Sequence, residues 1–512
     1  MTSDPVYDGA MRRWDLKLAL DPGRDVPLFL QLASAIAEAI RRGRLAPGDP
    51  LPGTRVLAEQ LGVNRNTVIA GYEELAAEGL VRTRPGGGTF VAEPAPTLPN
   101  QPACVPQDAP TYTLGRVADP PPARPPTPSG VLTLRGIPDS RLFPARALAR
   151  AFRRAIEHRG HAQVSYGDPS GHVRLRAQLS TMLSSARGLP ATPDNVMVTR
   201  SLEQGIDLVA RTLIAPGDVV VVERFGYPPV WSMMKLAGAQ LLPLPVDADG
   251  LDINALETAL LEQRIRAVFV TPHHQFPTTV VMSAERRARL AELSRTHHFA
   301  IIEDDYDHEF HYQGRPVLPI AAGAGGGNVI YVGSLANLLA PGIGTGFVVA
   351  PPAVFARLAG LRAASDARID AAMECAIAEL FEDGELLRHL RRVRRIYASR
   401  RDALAESLTR RLGSAVTFRI PDGGMALWVR ADDSINVTDW VSRSEQEGVS
   451  FERGQRYDVL DREQQYLRLG FTQHDEKQLH EAVTRMARAL RRGVRMDQQV
   501  ARPSSESTHS RV

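Results

Sequence analysis

Chemistry that needs a primary amine has few places to happen in this chain. Of its 61 basic residues only Lys17, Lys235 and Lys477 are lysines; the other 58 are arginine, and residues 236–476 contain no lysine at all. A nucleophilic amine must be held in near-attack geometry, and none of the three lies in a segment whose pattern offers that placement. A different chemistry is available to Asn64-Arg65-Asn66-Thr67. Arginine pairs bidentately with guanine, asparagine with adenine, and threonine meets a thymine methyl or a phosphate. Further on, Asp307-His308-Glu309-Phe310-His311 places two imidazoles three residues apart, half of a zinc set.

The composition bounds what these groups can serve. At 512 residues, with 43% apolar and 23% charged side chains, the chain is long enough for about three domains and has an ordinary globular balance. A net charge of +3 gives no polybasic coat, so contact with nucleic acid must come from local clusters. Two cysteines, Cys104 and Cys375, exclude a disulfide scaffold and a cysteine-based zinc module. No apolar run approaches a membrane span, and the N-terminus lacks a signal-peptide layout. A cytoplasmic protein with no membrane partner is expected.

The elements that must position these residues follow from periodicity. Residues 24–92 form one compact unit. Leu28, Leu32, Ile36 and Ile40 fall at helical spacing. Thr54 is expected to cap a second helix, and Asn64 a third over about 65–78. LVRTR and GTFVAE read as two short strands joined by Pro85-Gly86-Gly87-Gly88. Residues 93–130 hold twelve prolines and no hydrophobic period, the pattern of an extended linker. From 131 to 490, apolar runs such as NVMVT (195–199), DVVVVE (218–223), AVFVTP (267–272), AIIEDD (300–305) and VIYVGS (329–334) alternate with helical stretches. That alternation predicts an α/β domain with a mostly parallel sheet covered on both faces, closed beyond 413 by a smaller strand-and-helix unit. Residues 491–512 read as a disordered tail.

Three helices and a two-stranded wing make a winged helix-turn-helix whose third helix enters the major groove. Arg55 opens the preceding helix and is placed to clamp a phosphate. Arg82 and Arg84 flank the wing, whose Gly86 and Gly88 allow close backbone approach to DNA. The alternative is that Asn64 serves as a helix cap and the arginines are solvated. The run from Pro27 to Val91 resembles the GntR-type DNA-binding domain over nearly its whole length, departing at Gly53 and Asn64, where serine or threonine is usual. The resemblance implies a double-stranded DNA operator as partner, with Arg55, Asn64, Arg65, Asn66, Thr67, Arg82, Gly86 and Gly88 at the interface.

The larger unit resembles a fold-type I aminotransferase in YGDPSGHVRLR, ERFGYPP, TPHHQFPT, IIEDDYDHEF and YLRLGF. The resemblance implies that Tyr166 reaches a partner subunit's cofactor phosphate, that the Tyr227 segment stacks on a pyridine, that Asp304 pairs with the ring nitrogen, that Tyr306 meets the 3′ oxygen, and that Arg468 clamps a substrate carboxylate. Ser334 joins the cofactor set. The departures fall where the chemistry is. Pro341 and Gly346 fix the register of the lysine segment, which puts Asn337 at the Schiff-base position, Gly344 at a phosphate-binding arginine and Ala336 at a phosphate-binding serine. Ser201 and Thr279 stand where glycines are usual. An asparagine forms no imine and shuttles no proton as the lysine does. Asp304 and Arg468 could instead be structural, each paired inside the fold.

A GntR-type reader joined to such a domain resembles the MocR-type subgroup of regulators. The resemblance implies a homodimeric transcription regulator that senses a small carboxylate, an amino acid or a vitamin B6-related effector without a Schiff base. Pyridoxal phosphate is expected at most to bind weakly and noncovalently. An active pyridoxal-phosphate aminotransferase with a fused DNA reader is the competing reading. His273-His274 belongs to the same predicted site as His308 and His311, but no third ligand falls at a zinc spacing, so these are read as polar loop residues and no metal is expected. Gly323–Gly327 precedes a strand rather than a helix, and Arg391–Arg395 reads as the solvated face of a long helix.

Overall fold

The computed structural model describes residues 18, 20–23, 26–84, 87–93, 130–159, 165–314, 316–323 and 326–500. Lys17, Gly86, Cys104 and nearly all of the expected linker lie outside these residues. The chain divides into two compact units, 1–114 and 115–512.

In the first unit, α1 (Leu28–Arg41), α2 (Thr54–Leu61) and α3 (Arg65–Ala77) precede strands β1 (Val81–Arg84) and β2 (Gly88–Val91). The strands pair antiparallel from Val81↔Val91 to Arg84↔Gly88. Leu32, Ile36, Leu57, Val68, Leu75 and Val91 are buried together. Gly71 lets α3 approach α1, because a Cβ there would press on Leu32 and the Phe29 carbonyl at 3.1 Å. Thr54 does not cap α2. It is the first helical residue, after Gly53, and no side chain caps that end. Its hydroxyl accepts from Arg65 Nε at 3.3 Å instead.

The second unit opens with β3 (Leu132–Thr133), α4 (Ala145–Arg159), α5 (Val173–Arg187), β4 (Val196–Thr199), α6 (Leu202–Leu213), β5 (Val219–Glu223), α7 (Pro228–Leu236) and β6 (Gln240–Leu244). It continues through β7 (Val246–Asp247), β8 (Gly250–Leu251), α8 (Ile253–Glu262), β9 (Ile265–Val270), α9 (Ala284–His297), β10 (Ala300–Asp305), β11 (Val329–Ser334) and β12 (Gly346–Val349). Helices α10 (Pro352–Ser365), α11 (Ala371–Glu382) and α12 (Glu385–Leu412) lead to β13 (Val416–Phe418), β14 (Ala426–Ala431), α13 (Val437–Gln446), β15 (Val449–Ser450), β16 (Glu452–Arg453), β17 (Tyr466–Gly470) and α14 (Glu476–Val500).

Seven strands form the main sheet in the order β4-β12-β11-β10-β9-β5-β6. Only β12 runs against the rest, pairing antiparallel with both β11 and β4. Strands β4, β10, β11 and β12 are buried at nearly every position, as expected for a sheet covered on both faces. Separate apolar clusters fill its two sides. The smaller sheet, β13-β14-β17-β16, is antiparallel and packs with α12, α13 and α14 around Trp440, Leu404, Leu469 and Val483. Helix α14 runs to Val500, ten residues into the segment expected to be a disordered tail. Gly493 is the one poor helix former in Arg491–Val500; at about 1 kcal/mol relative to alanine it does not stop a helix already docked by its first turns. Of the Arg391–Arg395 run, Arg391, Arg392 and Arg395 are exposed, while Arg394 is half-buried and donates to the Glu309 carbonyl at 2.9 Å.

Candidate functional site

The first unit presents its chemistry at the start of α3. The Asn64 side chain accepts from the Asn66 amide at 2.9 Å, satisfying an otherwise orphan N–H of the helix. Capping uses the Asn64 carbonyl oxygen. Asn64, Arg65 and Asn66 are exposed and Thr67 half-exposed, while Val68, one position on, is fully buried. The first turn therefore faces solvent and the rest of the helix anchors it. Arg55 is exposed on α2. In the wing, Arg82 pairs with Glu93 at 3.2 Å, Arg84 lies over the Phe90 ring, and Gly88 takes φ +97°, a conformation that glycine adopts without strain.

In the second unit, a cleft of about 460 Å³ opens at the C-terminal ends of the parallel strands, where open α/β sheets bind their ligands. It brings together Tyr227, Asp304, Tyr306, Ser334, Asn337 and Arg468. Asp304 comes from the end of β10, Ser334 from the end of β11, and Tyr227 is the residue before α7, with Pro228 at its first position. Arg468 comes from β17 in the other sheet. Tyr166 does not line the cleft; it stands 83% exposed.

Asp304 is buried, and its Oδ1 has no hydrogen-bond partner. Burial pushes its carboxyl well above the usual range, and the nearby Asp305, Asp307, Glu203 and Glu223 push the same way. Such a group is stabilised by a cationic or donating partner. Tyr306 is likewise raised, by burial first and then by Asp307, and keeps its proton.

Arg468 is 6% exposed. Its guanidinium donates to the Arg135 carbonyl at 2.6 Å and lies over the Phe276 ring, 4.7 Å from the centroid. Nε has no partner, and no carboxylate among the described residues pairs with it. A buried cation is ordinarily paired with an acid, so this guanidinium is available to an anion in the cleft. Asp304 and Arg468 do not pair with each other.

At the opposite end, Asn337 Nδ2 donates to the Tyr306 carbonyl at 3.0 Å. Ser334 Oγ accepts from the Ala336 amide at 3.0 Å. Gly344 packs so tightly that a Cβ there would collide with the Arg200 carbonyl. Helix α6 starts here, capped by Ser201, with Glu203 in its first turn. Glu203 lines the cleft and accepts from the Tyr227 hydroxyl at 3.1 Å. A carboxylate already occupies the end of the helix dipole that would favour an incoming anion. Sequence reasoning missed Glu203; its position two residues after the capping Ser201 was the available signal. It also missed Phe276, whose ring meets Tyr227, Tyr306 and Arg468. Neither Lys235 nor Lys477 lines the cleft.

A pyridine ring fits this site at one end only. Asp304, Tyr306 and Tyr227 suit its nitrogen, its 3′ oxygen and its edge. The phosphate end does not fit: the backbone at Gly344 excludes a side chain, and Glu203 faces the place of the anion.

These features define a class: a winged-helix DNA-binding domain on the same chain as an aminotransferase fold. Residues 28–91 match the family of bacterial regulatory proteins, gntR family, and residues 137–486 match aminotransferase class I and II. The chain belongs to the MocR-type subgroup of the gntR family, with a domain of the class I and II aminotransferases. It is 32% identical over 486 residues to a probable rhizopine catabolism regulatory protein, MocR, of Rhizobium meliloti, covering 92% of this chain and 96% of that one. It is 31% identical over 395 residues to the pyridoxine biosynthesis transcriptional regulator PdxR of Corynebacterium glutamicum, covering 77% and 82%. Among solved structures, LysN, an α-aminoadipate aminotransferase of Thermus thermophilus, superposes with a TM-score of 0.67 at 27% identity, covering 72% of this chain and 94% of that one. Among the described residues no helix is long and apolar enough to cross a membrane.

Proposed function

We propose that this protein is a cytoplasmic transcription regulator whose cleft recognises a small carboxylate, an amino acid or a vitamin B6-related adduct, without a covalent bond. The observation that carries this reading is Arg468, a buried guanidinium with no acidic partner, facing a cleft that no described lysine lines. In this reading Asn337 takes the place of the imine-forming lysine. Its amide donates to the Tyr306 carbonyl and holds the loop, but supplies neither nucleophile nor base. Asp304 orients a ring nitrogen or an ammonium group, Tyr306 and Tyr227 bound the ring space, and Arg468 binds the carboxylate in a two-pronged clamp. Ser334 contributes least, because its hydroxyl is engaged by the Ala336 amide. Pyridoxal phosphate binds weakly here, since Gly344 and Ala336 offer its phosphate neither a cation nor a hydroxyl and Glu203 places a carboxylate beside it.

Residues 24–92 read the operator through Arg55, Asn64, Arg65, Asn66, Thr67, Arg82, Gly86 and Gly88. Residues 131–490 form the effector and dimerisation unit, tethered through 93–130. A homodimer is part of the proposal, since Tyr166 is exposed on a single chain and is free to reach a second copy.

The test is to add pyridoxal phosphate to the full chain, reduce with borohydride and map the peptides. No pyridoxyl-lysine is expected, and the unfolding midpoint is expected to rise with amino-acid or pyridoxyl-amino-acid ligands by mass action. A stoichiometric adduct on Lys235, with amino-group transfer to a keto acid, favours the enzymatic reading instead.

A further inference from the structure

Away from the cleft, the structure gathers imidazoles that the proposed function does not use. His273 and His274 follow β9, and His311 lies in the segment after β10. One ring nitrogen from each lies within 4.8 Å of the other two. Five of the fifteen buried side-chain polar atoms without a hydrogen-bond partner among the described residues belong to these three rings: both nitrogens of His273, both of His311, and Nε2 of His274. Buried polar atoms are nearly always satisfied, so so many in one place need a common partner.

We propose that His273, His274 and His311 bind a divalent transition-metal ion of the zinc, cobalt and nickel class. An all-imidazole set suits these ions and not calcium or magnesium, which take oxygen ligands. Three protein nitrogens leave the fourth tetrahedral position to water. With bonds of about 2.0–2.1 Å, tetrahedral donors sit about 3.4 Å apart, so binding draws the three rings together through small side-chain rotations.

Three further features of the site match what such an ion requires. First, His274 Nδ1 donates to Asp307 Oδ1 at 2.8 Å, with both groups buried. That bond fixes the tautomer and leaves Nε2 as the free donor atom, the carboxylate–histidine–metal arrangement. Second, both ring nitrogens of His273 are buried without a hydrogen-bond partner among the described residues, so no protein group competes with an ion for either of them. Third, there is space and a path. Gly423 bridges to His311, and a Cβ at 423 would collide with the Nε2 edge of His274. His311 also lines a second cavity of about 390 Å³ with His308, Arg187 and Arg394. His308 belongs outside the donor set: Asp305 orients it at 2.8 Å, and it stacks on His273 with centroids 4.5 Å apart.

The ion would join the segments after β9 and β10, both of which continue into the cleft through Phe276 and Tyr306. The experiment uses the full chain, purified without a polyhistidine tag and stripped with chelator. Zinc is titrated by calorimetry, cobalt by its visible ligand-field bands, and metal content is read by elemental analysis. One equivalent per chain is expected, with a tetrahedral cobalt spectrum. His311→Gln, at a half-buried position, and His273→Asn are each expected to weaken zinc binding at least tenfold. Asp307→Asn, which acts through His274, is expected to weaken it by about 10–100-fold. Circular dichroism checks that each variant is folded, and His308→Gln serves as the neighbouring control. The proposal is overturned if the wild-type chain takes up no zinc, if folded His311→Gln binds as the wild type does, or if only His308→Gln loses the ion.

Discussion

Replacing Arg468 by methionine separates a ligand-binding role from a structural one, because the two roles predict stability changes of different size. Among the described residues the guanidinium makes one hydrogen bond, to the Arg135 carbonyl at 2.6 Å, and one ring contact, to Phe276 at 4.7 Å. Losing them costs about 1.5–3 kcal/mol for the charged hydrogen bond and up to about 2 kcal/mol for the cation–π contact. Against this, methionine removes a buried charge with no acidic partner, whose desolvation penalty is itself several kcal/mol. The two terms nearly cancel, so the unfolding free energy of Arg468→Met is expected within about 1 kcal/mol of wild type. Ligand binding has no such compensation. Two charge-assisted bonds to a carboxylate, at about 1.5–3 kcal/mol each, correspond to a loss on the order of 10²–10⁴ in affinity. The assay pairs urea unfolding of the ligand-free protein with calorimetric titration of glutamate, leucine and phosphopyridoxyl-leucine. A ligand bound equally by both proteins, or a ligand-free variant destabilised by more than about 3 kcal/mol, refutes the reasoning.

Other substitutions probe the remaining parts. Asn337→Lys is expected to give a borohydride-trappable adduct only at high pyridoxal phosphate concentration. The missing phosphate contacts still cost about 1.5–3 kcal/mol, and stoichiometric labelling at micromolar cofactor would contradict that. Arg65→Ala is expected to lose about 1–3 kcal/mol of specific operator binding with a much smaller change on nonspecific DNA, as read by gel-shift titration. Burial pushes Glu374 up to about 7 while its carboxylate accepts from the His172 amide at 2.6 Å. The folded state therefore holds a proton that the unfolded state releases above its ordinary 4.5. Stability from this group is full below that value and falls through pH 7, by about 3 kcal/mol in all. Glu374→Gln should flatten that decline in urea titrations at pH 5 and 8. Sedimentation should find a dimer at micromolar concentration, and a monomer there removes the role given to Tyr166.

The sheet was legible where apolar runs were long and β-branched: β5, β9, β10 and β11 lie where those runs stand. β6 escaped because Gln240 and Pro243 interrupt its pattern, and β12 because four residues behind a glycine-rich turn look like part of a loop. In the cleft, Asp304, Tyr306, Asn337 and Arg468 were placed by resemblance rather than by spacing. Their neighbours were invisible for a physical reason. The carbonyl that Arg468 meets is 333 residues away, and no periodicity encodes such a contact. The histidines illustrate the same limit. His274 and His311 are far apart in sequence, but β9 and β10 are parallel neighbours with Ala267 opposite Ala300 and Val270 opposite Glu303. The segments leaving both strands must emerge side by side. That rule was available from the strand pattern; which rings would face each other was not.

Asp304 and Arg468 stand on different sheets, one at the end of β10 and the other on β17. The two layers touch beside the cleft through the Phe225–Asp458 bridge and the Arg224–Asp458 ion pair at 2.8 Å. A molecule held at one end by the carboxyl and at the other by the guanidinium acts as a cross-brace between them. Its binding free energy then adds directly to the work needed to slide one layer over the other. On the proposed reading, the cleft is a joint between two layers whose stiffness reports the concentration of its ligand.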